Sequence, residues 1–304
     1  MMLTRRTFLT AATASLAAPF APRRAWAIST LTLGDLRIDT LSDGNLMLPG
    51  DFIFAGLPQD ELQPIVAKYG LSTDQLTPPC NVTLLRDGTN TVLFDVGAGP
   101  DFQASAGKLS EAMGALGLSV HEVTHVLFTH AHPDHLWGLL DDFDEPVFPN
   151  AEHMIGQAEF DYWTDADTVT SIGEARTTFA VGAARRLDVI ADSVRLLADG
   201  EEPLPGIAAR LTPGHTPGHL AFEIAGSTPV MVLGDCIGNH HVAFERPDWL
   251  TGSDQDKGLA AETRVALLDR LVAENFVVTG FHLPGGGIGR AERDGAAYRF
   301  VEDV

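Results

Sequence analysis

His-Ala-His-Pro-Asp-His, residues 130–135, puts four metal-competent side chains inside six positions. Imidazole nitrogen suits Zn²⁺, Fe and Cu, and a carboxylate widens the choice toward Mn²⁺. In an extended segment His130 and His132 point to the same face, because side chains alternate. Pro133 favours a turn, so Asp134 and His135 swing toward a different point. One pair can serve one ion and the next pair a second. The apolar run Val-Thr-His-Val-Leu-Phe at 123–128 reads as a strand that holds this loop rigidly.

A closed metal site needs more ligands, and other apolar runs end in them. Leu-Thr-Pro-Gly-His-Thr-Pro-Gly-His at 211–219 is a loop punctuated by Gly and Pro and carries His215 and His219. Val-Met-Val-Leu-Gly-Asp at 230–235 ends in Asp235, and Phe-Val-Val-Thr-Gly-Phe-His at 276–282 ends in His282. Upstream, Thr-Val-Leu-Phe-Asp-Val-Gly-Ala-Gly at 91–99 ends in Asp95 and a Gly-rich bend. Rigid strands that present polar residues from loops at one edge are how sites are usually built.

These pieces, in this order, resemble the metallo-β-lactamase superfamily over about residues 31–300. Four further stretches look closest to its methyl parathion hydrolase-like group: LTLGDLRIDTLSDGNLMLP at 31–49, VFPNAEH at 147–153, TPGHTPGH, and HLPGGGIGRAERDGAAYRFV at 282–301. The resemblance implies an α/β fold, a four-layer αββα sandwich with two mixed β-sheets and metals at one edge. It implies one ion held by His130, His132 and His215, and a second held by Asp134, His135 and His282, with Asp235 bridging. Two divalent ions, Zn²⁺ first among them, are therefore the expected cofactors. Asp95 is expected to orient a ligand histidine from behind. Trp163 aligns with an aromatic of the parathion hydrolase-like pocket, and Phe54, Phe148 and Phe244 are further candidates for an apolar wall.

Six terminal ligands and one bridging carboxylate give each ion three to four protein contacts, which leaves room for a shared water or hydroxide. An open position marks a catalytic rather than a structural site. The expected activity is cleavage of an ester-type bond in a lactone, aryl ester or phosphotriester. Asp134 and Asp235 are the candidate catalytic carboxylates. His240 and His241, just after Asp235, are candidates for a proton donor or pocket wall. Related lactonases place a tyrosine behind the bridging Asp, and none occurs there in this chain. The competing expectations are an iron-dependent oxidoreductase or dioxygenase on the same scaffold, a β-lactamase, or a metal binder without activity. The chain carries no Gly-x-Ser-x-Gly elbow, P-loop or dinucleotide-binding glycine pattern.

Residues 1–27 read as a twin-arginine signal peptide: Arg5-Arg6 precedes a mild apolar stretch, and Ala25-Trp-Ala27 is a cleavage signature. The export machinery is then a partner, and the periplasm or exterior the destination. Residues 28–304 form one expected domain of two similar halves with a seam near 165–195. Removing the four arginines of residues 1–27, which contain no acid, takes the formal charge from −21 to −25. Such a surface repels nucleic acid and anionic membranes and favours a small neutral or weakly polar substrate. A homodimer is expected from the family. The two cysteines, Cys80 and Cys236, are expected to be buried and unpaired, and His219, His121, His125 and His153 to be structural or surface residues. Coarse patterning predicts strands at 31–38, 81–86, 91–95, 123–128, 194–197, 207–211, 221–224, 230–233 and 276–279. Helices are predicted at 102–116, 156–164, 172–187 and 259–274.

Overall fold

The computed structural model describes residues 28–302. The twin-arginine segment lies outside the described residues. In chain order the strands are β1 (Ile28–Leu33), β2 (Leu36–Asn45), β3 (Leu48–Pro49), β4 (Gln75–Leu76), β5 (Pro79–Arg86), β6 (Thr91–Phe94), β7 (His125–Leu127), β8 (Glu152–Gly156) and β9 (Arg195–Leu197). They continue as β10 (Ile207–Leu211), β11 (Leu220–Ile224), β12 (Val230–Val232), β13 (Val277–Thr279), β14 (Ile288–Asp294) and β15 (Ala297–Val301). One sheet runs β1-β2-β5-β6-β7-β8-β9, and a second runs β10-β11-β12-β13-β14-β15. Both are mixed: β6 through β9 pair in parallel, as do β12 and β13, and the other neighbours are antiparallel.

Side-chain alternation explains the layering. In β6, Val92 and Phe94 face the opposite sheet, while Leu93 joins the core beneath the helices. In β7, Leu127 faces inward and Val126 outward, and in β12 Met231 and Val232 divide the same way. Strands buried on both faces read as continuous apolar runs for this reason. The helix Thr177–Ile190 covers one sheet and the helix Lys257–Ala273 the other, which gives the αββα order.

Several local expectations change. The predicted strand at 31–38 is a hairpin, because Gly34 at φ 63° lets Leu33 pair directly with Leu36. The expected helix at 102–116 is confined to Leu109–Ala115, since Gly107 turns the chain at φ 73°. The expected helix at 172–187 starts at Thr177, after Gly173 breaks the chain at φ 95°. The chain changes sheets between Leu197 and Ile207, just past the 165–195 stretch where a seam is expected, and the covering helix Thr177–Ile190 of the first half lies within that stretch. Cys80 and Cys236 are both free and buried. No helix among the described residues is long and apolar enough to cross a membrane.

Candidate metal centre

The parallel strands β6 and β7, and β12 and β13, all end at the same edge of the sandwich. Asp95 follows β6, and the 130–135 loop follows β7. Asp235 follows β12, and His282 follows β13. His215 comes from the β10–β11 connection. The loop behaves as its proline suggests. His132 caps a one-turn helix, Pro133–Leu136, with Pro133 in its first turn, so Asp134 and His135 turn away from His130 and His132. The Pro-Gly-His repeat has a steric reason as well. A Cβ at Gly214 would run into the backbone of Ala260, and one at Gly218 into the backbone of Glu159.

His130, His132 and His215 form one buried group, and Asp134, His135, Asp235 and His282 another. In the first, His132 Nδ1 lies 3.0 Å from His130 Nε2 and 2.9 Å from His215 Nε2. The hydrogen-bond network assigns the tautomers. Thr129 Oγ1 donates to Asp95 and so accepts from His130 Nδ1 at 3.0 Å, while His215 Nδ1 donates to Asp254 at 3.0 Å. Both Nε2 atoms therefore present lone pairs to His132. Burial, reinforced by the neighbouring imidazoles, holds His130 and His132 well below the usual histidine range. Three imidazole nitrogens that converge with at most one hydrogen among them fit a cation.

In the second group, His282 Nε2 lies 3.2 Å from Asp134 Oδ2 and 3.3 Å from Asp235 Oδ2. His135 Nε2 lies 3.4 Å from Asp134 and 3.3 Å from Asp235 Oδ1. Asp235 Oδ2 is also 3.5 Å from His215 Nε2, so this carboxylate faces both groups. Burial opposes charge on Asp235, yet His282 and His135 hold it well below the usual carboxylate range. The buried atoms His132 Nε2, His135 Nε2, Asp134 Oδ2 and Asp235 Oδ1 have no hydrogen-bond partner. Orphaned polar atoms are costly when buried. Three of them aim at one small volume, so the residues fit two metal ions.

The ligands are held from behind in the manner of histidine metal sites. His135 Nδ1 donates to Asp95 at 2.7 Å, and His282 Nδ1 to the Pro79 carbonyl at 2.7 Å. Asp95 also accepts from the Thr129 amide and hydroxyl, and it sits at φ 66°, a backbone conformation rare for a residue with a Cβ. His219 accepts from the Asp235 amide through Nε2 at 3.0 Å and meets Thr212 through Nδ1, so it fixes the backbone of Asp235.

Three positioning residues carry no sequence signal. Asp254 receives His215, Thr251 and Arg264. Arg264 is itself anchored on the carbonyls of Pro247 and Trp249. Glu159 is fully buried and accepts from the Ala131 amide, Trp163 Nε1, Thr216 Oγ1 and the Gly218 amide, tying the 130–135 loop to the 212–219 loop. Asp254→Ala is expected to weaken metal retention about 10–100-fold in a chelator competition.

The cleft above the two ligand groups encloses about 280 Å³. The aromatic candidates from sequence do not form its wall. Trp163 is 1% exposed and sits behind His132, with ring centroids 5.7 Å apart. Phe148 is packed in the core of the first half and Phe244 in that of the second, while Phe54 is buried in a satellite cluster. The wall is made instead by Phe52, Phe102 and Phe179, with Leu48 and Leu71. His240 and His241 do line the cleft. Burial lowers both, His241 to about 3, so neither holds a spare proton near neutral pH. His241 Nδ1 accepts from the Val242 amide, which leaves its Nε2–H as a donor. Tyr69 packs against His240 at 4.8 Å, and its hydroxyl is bound to Glu245.

Fold and site together define an αββα sandwich with two groups of candidate metal ligands at one sheet edge. Residues 77–276 match the Metallo-beta-lactamase superfamily, and the chain belongs to that superfamily. YobT of Bacillus subtilis, itself uncharacterised, is 28% identical over 159 residues, which is 52% of this chain. The match spans 62% of YobT's own length. Among solved structures, AidC, a dizinc quorum-quenching lactonase, superposes with a TM-score of 0.85 at 24% identity, over 91% of this chain and 97% of its own. The hydrolase AbOPH gives a TM-score of 0.83 at 26% identity over the same shares.

Proposed function

We propose that this chain is an exported, dinuclear metal-dependent hydrolase that cleaves an ester-type bond in a small, weakly polar substrate. The observation that carries this reading is Asp235, which faces both ligand groups at the floor of a cleft with apolar walls. Similarity to AidC and AbOPH supports it, as do the four stretches that resemble the methyl parathion hydrolase-like group. The likeness to a dizinc lactonase favours Zn²⁺ in both positions. Export rests on the twin-arginine sequence, and a homodimer on family resemblance.

His130, His132 and His215 would hold one ion, Asp134, His135 and His282 the other, and Asp235 both. Two such ions supply a nucleophile from water at neutral pH and neutralise charge that develops on the substrate oxygen. The chain's own groups position the substrate. Phe102 and Phe179 exclude water from one side of the cleft, and His241 offers a fixed N–H to a substrate oxygen. Because neither His240 nor His241 holds a spare proton, a leaving group of low basicity, such as an aryloxide, departs most readily.

The test is a screen of metal-loaded protein with lactones, aryl esters, phosphotriesters and β-lactams. Turnover of an ester-type substrate is expected; turnover confined to β-lactams, or oxygen consumption by an iron-loaded form, would replace this reading. Phe179→Ala is expected to raise KM for an aryl ester roughly tenfold, with a smaller change in kcat, because one ring's worth of apolar contact is worth about 1–3 kcal/mol.

A further inference from the structure

We infer that Arg176 is a specificity-determining residue that selects an ester bearing a second, anionic carboxylate away from the bond being cleaved. The inference rests on the hydrolase reading above and departs from it in giving the substrate a charge. Arg176 lines the same cleft as His132, Asp134, His215, Asp235 and His282. Its Nη2 donates to the carbonyls of Gly252 and Ser253, each at 2.8 Å, which anchors the guanidinium in one orientation. Its Nε is buried and has no partner, and its Nη1 makes no hydrogen bond among the described residues. The guanidinium lies 5.7 Å from the centre of the Phe52 ring, against the apolar wall.

The chain carries 41 acidic residues against 20 basic ones, yet no carboxylate forms an ion pair with Arg176 among the described residues. The acid that acts on it most, Asp254, is taken by Arg264 and His215. Most arginines of this chain find acids; this one is pinned by carbonyls and left facing a partly dehydrated cleft. A half-buried cation without a counter-charge costs free energy unless a ligand supplies one. With Nη2 held by two carbonyls and Nε buried, Nη1 is the donor left for a carboxylate, and a desolvated, charge-assisted hydrogen bond is among the stronger polar contacts. The net charge of the whole surface governs long-range encounter, whereas this single fixed cation governs what is held inside. The substrate is thus an ester at one end, placed at the ligand clusters, and a carboxylate at the other, with a short apolar spacer along Phe52 and Phe179.

The experiment compares the 4-nitrophenyl monoester of glutarate with 4-nitrophenyl pentanoate on metal-loaded protein. The expected result is a KM roughly tenfold or more lower for the acidic ester, a ratio that falls to about one in Arg176→Gln and is partly kept in Arg176→Lys. Calorimetric titration with glutarate and with pentanoate reads the same preference without turnover. Wild-type protein should bind glutarate at least tenfold more tightly, and Arg176→Gln should remove the difference. Absence of preference in the wild type, or its survival in Arg176→Gln, would overturn the inference. Should Arg176→Gln fail to fold, Arg176→Lys decides: a ratio unchanged from wild type counts against a guanidinium-specific contact. Failure to cleave either ester would count against aryl-ester hydrolysis alone, since the titration still judges Arg176.

Discussion

Asp235→Asn is expected to drop the metal content from two ions per chain to one or fewer and to reduce turnover roughly a thousandfold, a loss of several kcal/mol of barrier stabilisation. Asp235 reaches both ligand groups with its carboxylate, at 3.5 Å from His215 and 3.3 Å from His282. Asparagine keeps the shape but loses the charge, and one of its two terminal atoms becomes an N–H₂ that repels a cation. Burial opposes charge on His135 and His282, yet Asp235 and its neighbouring carboxylates hold both well above the usual histidine range, and the substitution removes one of those carboxylates. Metal analysis and kinetics on the same preparation check this. A variant with full metal and full turnover would remove Asp235 from the account.

Glu159→Ala is expected to destabilise the protein by about 3 kcal/mol and to strip the ion of the three-histidine group first. Its carboxylate accepts four donors, at 2.9 Å from Ala131, 2.6 Å from Trp163, 2.7 Å from Thr216 and 3.0 Å from Gly218. Removing it orphans several buried donors at once, and each costs about 1–3 kcal/mol before relaxation. Ala131 sits between His130 and His132, and Thr216 adjoins His215, so the loss loosens all three ligands together. Glutamine does not rescue fully, because its amide can accept only through one oxygen. Thermal unfolding of the apo protein separates the stability effect from the metal effect. A melting temperature unchanged in apo Glu159→Ala would contradict the assigned role.

The sequence and structure agree where chemistry and chain position coincide. The histidines and carboxylates of the 130–135 loop, His215, Asp235 and His282 are legible because each follows an apolar run or a Gly/Pro-punctuated loop, and strands that end at one edge bring such residues together. Glu159 and Asp254 stay hidden for the opposite reason. Each sits in an ordinary acidic segment, and its meaning arises only when partners 28 or 39 residues away fold against it. The wall of the cleft is misread because aromatic character signals burial but not which face opens on a cavity. Trp163, Phe148 and Phe244 fill cores, whereas Phe52, Phe102 and Phe179 ring the opening. The hairpin at 28–45 is hidden for a simpler cause: one glycine converts an apparently continuous strand into two.

The most direct test is anomalous diffraction from crystals of the purified, metal-replete protein, with the element identified at its absorption edge. Two peaks are predicted, one enclosed by His130, His132 and His215 and one by Asp134, His135 and His282, with Asp235 touching both. Density for a single ion elsewhere, or undiminished ester turnover by protein that retains no metal, would contradict the dinuclear centre.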